Sequence, residues 1–219
     1  MGVDMTPGDP VVFAFISVTA LLGLGYLWGR RRNERIGRDV VGRVVRAVHP
    51  CDQTFTLIGG AVGMHARLLL GEESAFSEAL LTVILLPRQA PLYFPVSFLI
   101  HRSDRLFVTL KARGDLPGEG HLVAVSGRGG TRISPFGEND ATAEGISWGG
   151  IPYRLASENH DVKERLQGLV RAVEAPGGIQ HVALVPGQGH VFIRVALPDA
   201  GLEAALARLL SCFPRATAG

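Results

Sequence analysis

The sequence predicts an α+β protein: one N-terminal transmembrane helix, then an antiparallel-sheet domain with helices packed on it. Three observations predict it. Val11 to Trp28 is a run of eighteen residues without a charge, and a helix needs roughly 20 mostly apolar residues to cross the hydrocarbon core. Beyond it, apolar stretches of strand length flank glycine-rich turns at Ile58-Gly59-Gly60 and Pro186-Gly187-Gln188-Gly189, the mark of β-hairpins. Segments 33–48, 161–173 and 202–212 carry apolar residues at helical spacing.

Residues 1–10 read as a short tail, and 11–29 as the span, with Gly29 and a snorkelling Arg30 completing its reach. Arg30, Arg31, Arg32 and Arg35 follow the span, whereas only Asp4 and Asp9 precede it. Basic residues beside a span stay cytoplasmic. The expected topology is a single-pass signal anchor with its N-terminus outside and its C-terminal domain in the cytoplasm. A cleaved signal peptide would carry its positive charge first and a small-residue site afterwards; here the exit reads Trp28-Gly-Arg-Arg-Arg. Gly25 and Gly29 are four apart, the spacing that lets helices pack closely in a bilayer. They suit a membrane-protein partner or a homo-oligomer formed through the span.

Residues 30–50 read as a basic juxtamembrane helix ended by Pro50. Seven arginines face two acids over 30–46, a local charge of +5, which leaves −1 on residues 47–219. Anionic headgroups attract such a segment by about 1 kcal/mol per basic residue. The folded part is close to neutral and shows no basic face, so a nucleic-acid partner is not expected.

The domain is expected over 51–215. Strands at 54–58 and 64–70 form a hairpin, and 79–86 is a buried strand. Strands at 106–111 and 121–125 are expected to pair through the Gly114–Gly118 link. Residues 126–150, rich in Gly, Ser, Thr and acid, read as a long loop. A strand at 153–156 precedes a helix at 161–173 capped by Asn159 or Asp161. A second hairpin spans 181–197, and Asp199 is expected to cap the last helix, which ends near Cys212. Val44-Val-Arg-Ala-Val48 echoes Leu169-Val-Arg-Ala-Val173, and each precedes a hairpin. The echo admits a duplicated helix–β-hairpin unit or two hairpins obeying the same turn chemistry.

Segment 85–101 stands apart. Its prolines at 87, 91 and 95 forbid a continuous helix before Pro95, and Tyr93, Phe94 and Phe98 lie among other apolar residues flanked by Arg88 and Arg102. Aromatics beside basic residues suit a membrane interface; the alternative is a segment closing the core.

Gly145-Ile-Ser147-Trp-Gly149 matches the pattern of a serine nucleophile elbow. That elbow needs a buried strand before the serine and a helix after it, and neither is expected here. His160 or His181 would have to act as its base. His49-Pro-Cys51 is the only compact ligand-like pair, too few donors for a metal centre by itself. Otherwise Cys51 packs inward, and both cysteines are free thiols. Gly127-Arg-Gly-Gly-Thr131 lacks the spacing and lysine of a phosphate loop. No cofactor is expected. The reading that follows is a membrane-anchored, non-catalytic cytoplasmic domain that binds or organises a membrane partner. The alternatives are a hydrolase acting on a lipid or membrane-associated substrate, and a small-ligand sensor.

Overall fold

The computed structural model describes residues 10–101, 103–125 and 143–213. The chain runs α1 (Pro10–Val48), β1 (Asp52–Ile58), β2 (Gly63–Leu69), β3 (Phe76–Ile84), α2 (Phe94–His101), β4 (Asp104–Ala112), β5 (Gly120–Ala124), β6 (Glu144–Trp148), β7 (Ile151–Ser157), α3 (His160–Ala172), β8 (Ile179–Val185), β9 (His190–Leu197) and α4 (Leu202–Ser211). The strands form one antiparallel sheet in the order β1-β2-β3-β4-β9-β8-β5-β7-β6. It is the α+β architecture the sequence predicts.

The expected span and the basic segment are one continuous helix of 39 residues. It is long and apolar enough to cross a membrane, and none of its most apolar window is buried. Its second half buries a stripe at Gly29, Asn33, Gly37, Val40, Val41, Val44 and Ala47, the helical spacing that seats one face on a core. That stripe packs on β2, β3 and α4, while α3 packs on β5 and β7. Alternate strand residues such as Leu81, Leu110, Leu122, Leu184 and Ile193 complete a single aliphatic core beneath these helices.

Four expectations are corrected. Strands β4 and β5 do not pair: β4 lies between β3 and β9, and β5 between β8 and β7. The 113–119 link is not a tight turn, and the apolar β8–β9 hairpin takes the central positions instead. β5 lies under α3, where a Cβ on Gly120 would come within 2.3 Å of Val162. Second, residues 144–150 are not loop. Ile146 and Trp148 belong to β6, which turns through Gly149 and Gly150 at φ 56° and 80° into β7; two consecutive positive φ angles are what a tight hairpin turn needs. The expected loop's remainder at 126–142 lies outside the described residues.

Third, Asp199 does not cap α4. Its carboxylate accepts the Gly201 N–H at 2.9 Å and the Gly178 N–H at 2.8 Å, tying the turn before α4 to the start of β8. The cap of α3 is Asn159, which accepts from the Val162 N–H at 2.9 Å. Fourth, Cys51 does not pack inward; it is exposed, and both cysteines are free thiols. The two hairpins preceded by the Val-Arg-Ala-Val echo occupy unlike places, β1–β2 at the sheet edge and β8–β9 in its middle; a duplication is not shown.

Candidate membrane-proximal site

Segment 86–91 climbs α1 toward its apolar half, one helical turn at a time. Asn33 is fully buried and donates to Leu86 O at 2.8 Å. One turn earlier, Gly29 abuts the backbone of Arg88, whose carbonyl oxygen would lie 2.0 Å from any added Cβ. One turn earlier again, Gly25 faces Pro91, with 3.4 Å between its Cβ position and the ring. At 1.5 Å per residue, the climb from Asn33 to Gly25 covers about 12 Å. Pro91 therefore lies level with the uncharged run Val11–Trp28, and the close approach that Gly25 and Gly29 permit is made with this chain's own loop.

A polar joint locks the arrangement. Arg88 forms a bidentate pair with Asp104, at 3.0 and 2.8 Å, and also donates to Asn33 Oδ1 at 3.0 Å. Asp104 accepts the Leu86 N–H at 2.8 Å, and Asn33 donates to Gln89 Oε1 at 3.2 Å. Both charges are almost withdrawn from solvent. A buried ion pair adds little net stability but is costly to break from one side. Here it fixes where the helix meets the domain.

The loop delivers α2 with its apolar side chains outward. Tyr93 and Phe98 are about half exposed, and Leu92, Val96, Leu99 and Ile100 are also exposed. Phe94 is half-buried, with its ring 6.4 Å from that of Phe98. Contiguous exposed apolar surface marks a contact site. The basic residues expected to face the membrane lie on α1. Arg30 pairs with Glu34 at 2.9 Å, Arg32 stacks over Trp28 at 5.3 Å, and Arg31 and Arg35 are exposed.

The sheet face away from the helices is unlike a usual solvated face. One row crosses seven strands: His65, Thr82, Phe107, Arg194, His181, Val123 and Arg154 are successive cross-strand partners. Arg105 lies two residues from Phe107 on the same face. The Phe107 and Phe192 rings stack at 6.1 Å, His181 meets Phe192 edge-on at 5.6 Å, and His121 stacks on His181 at 5.4 Å. Burial, then His121, then Arg194 push the His181 imidazole down to about 4. It is neutral at physiological pH. Burial, and then the neighbouring Arg105, also lower the Arg194 guanidinium from its ordinary value. The sequence points to His181 only as a base for Ser147. Alternation in Arg105-Leu-Phe107-Val-Thr109 and His190-Val-Phe192-Ile-Arg194 was the available signal, but the row itself requires the strand order.

The other sequence candidates are not brought together. Ser147 lies in β6, with a hairpin turn rather than a helix after it. His160 is exposed beside Glu164. His49 takes a left-handed φ of 50° as α1 ends, and no group of three His, Cys, Asp or Glu is placed to hold a metal among the described residues. Residues 127–131 lie outside the described residues. No protein-family model and no curated protein sequence matches this chain.

Proposed function

We propose that this chain is a membrane-anchored, non-catalytic domain that binds or organises a partner at the bilayer, with residues 1–10 outside and the sheet domain cytoplasmic. The observation that supports it most is the position of Pro91 beside Gly25, which carries the apolar surface of α2 to the level of the span. α1 and α2 then hold the domain on the membrane at two points, and Arg31 and Arg35 add attraction to anionic headgroups. A domain held at two points presents its sheet edges in a fixed orientation to a neighbouring membrane protein.

Two measurements test this. Exposed Cys51 is a native topology probe: a membrane-impermeant maleimide should label it only after cells are opened, and labelling of intact cells would reverse the topology. Affinity capture of the full-length protein in mild detergent should return a stoichiometric membrane protein. Recovery of a lone monomer would overturn the partner reading.

A further inference from the structure

We propose that the groove between α2 and the membrane-proximal end of the sheet binds one anionic phospholipid drawn from the bilayer. The proposal rests on the membrane placement of α2 argued above. The groove has a volume of about 510 Å3, and Ile58, Val62, Ile84 and Leu86 form its apolar wall. That is within the range of ligand pockets, about 300–1,000 Å3.

Three features select the ligand. The groove lies along the segment that climbs to Gly25, so an acyl chain reaches it from the bilayer without crossing water. Arg105 lines it directly opposite Ile84 across β3 and β4, and Arg194 is close enough to Arg105 to feel its charge. Arg194 stands opposite Phe107, two residues along β4 from Arg105 and on the same face, and guanidinium groups gathered there suit an anion such as a phosphate, which arginine recognises through paired N–H donors. Ser97, on the groove wall, is fully buried, and its hydroxyl makes no hydrogen bond. A buried donor without a partner is costly, and the ester carbonyl of a glycerolipid is an acceptor of suitable chemistry. The acyl chain then lies on the apolar wall, the ester at Ser97 and the phosphate at Arg105.

The test uses the full-length protein in nanodiscs of phosphatidylcholine doped with phosphatidylglycerol carrying a photoactivatable group on its acyl chain, with cross-links mapped by mass spectrometry. Cross-links are expected in 58–62 and 82–87. Ile84→Trp, which fills the groove from a half-exposed position, should abolish them. Arg105→Gln should reduce them about fivefold, the worth of one basic side chain near anionic lipid. Ser97→Ala should reduce them while leaving the melting temperature of the lipid-free protein unchanged or higher, because it removes an unpaired hydroxyl and favours the helix. Two parallel arms carry the same group on phosphatidylcholine and on palmitate. Equal groove labelling by phosphatidylcholine would overturn the anionic headgroup, and labelling by palmitate alone would overturn the bilayer source. Cross-links on 92–100 but none in the groove would overturn the groove and leave the membrane contact of α2 standing. No cross-link on 92–100 would overturn that contact as well.

Discussion

The two faces of the sheet differ more than burial alone requires. Beneath the helices, β3, β4 and β9 present Leu81, Val83, Leu106, Val108, Leu110, Val191, Ile193 and Val195, each at most 1% exposed. Among the described residues, the buried charge on that face is Asp104, at the start of β4 and held by Arg88. The same strands turn Arg105, Phe107, Thr109, Phe192 and Arg194 to the other side. Solvated antiparallel sheets usually carry short polar residues there. A surface that crowds guanidinium groups beside stacked rings and a neutral imidazole is poorly suited to water alone. The covered face holds the aliphatic core, and the open face gathers the guanidinium, aromatic and imidazole groups.

The largest loss of stability is expected at Asp104. Asp104→Ala leaves Arg88 buried without its counter-ion and frees the Leu86 N–H, so unfolding of the detergent-solubilised protein should show a loss of about 3–5 kcal/mol. Asp104→Asn keeps the acceptor and should lose less. A loss below about 1 kcal/mol for the alanine variant, within the usual worth of an exposed pair, would mean that the joint is solvated.

Leu110 and Phe107 test the two faces on one strand. Leu110→Ala removes a fully buried side chain and should cost about 2–5 kcal/mol. Phe107→Ala removes a larger side chain that is only partly covered, opens no closed cavity, and should cost about 1 kcal/mol. Equal losses in denaturant titrations would show that the open face is packed as a core.

His181 gives the open face a pH signature. Its folded value of about 4 lies below the ordinary 6.5, so the unfolded chain takes up the proton first as pH falls. The stability contributed is complete above pH 6.5 and is lost between pH 6.5 and 4. The loss is at most about 3 kcal/mol, with His121 and Arg194 adding to the effect of burial. His181→Phe should flatten melting temperature across that window relative to the parent. A parallel decline in both proteins would assign the acid sensitivity to carboxylates instead.

What was legible in the sequence follows how local each feature is. The long apolar helix needs only a run of apolar residues, and the hairpins at 52–69 and 179–197 need only their turn glycines, so both are visible. The pairing of β4 with β9 depends on which strands are apolar enough for the sheet centre, and adjacency in sequence pointed to β5 instead. Tyr93, Phe94 and Phe98 were visible as an apolar cluster, whereas their place beside the apolar half of α1 depends on Gly25 meeting Pro91. The joint was not legible: Asn33, Arg88 and Asp104 are unremarkable where each occurs, and only folding brings them together. Ser97 carried no signal because an unpaired hydroxyl is a property of its surroundings.

The smallest effect is also the sharpest test of the two faces, because it uses consecutive residues on β3. Thr82 lies on the open face and hydrogen-bonds His65 Nδ1 at 3.0 Å, while Val83 is fully buried beneath the helices. The two side chains are nearly the same size and both are β-branched, so exchanging their chemistry changes polarity with little change of shape or strand preference. Val83→Thr places a hydroxyl in an aliphatic core and should cost about 1–3 kcal/mol. Thr82→Val removes an exposed hydrogen bond that water replaces, and should stay within about 0.5 kcal/mol of the parent. If Thr82→Val instead costs as much as Val83→Thr, the row from His65 to Arg154 is held together as a closed polar network. The open face would then be a second interior.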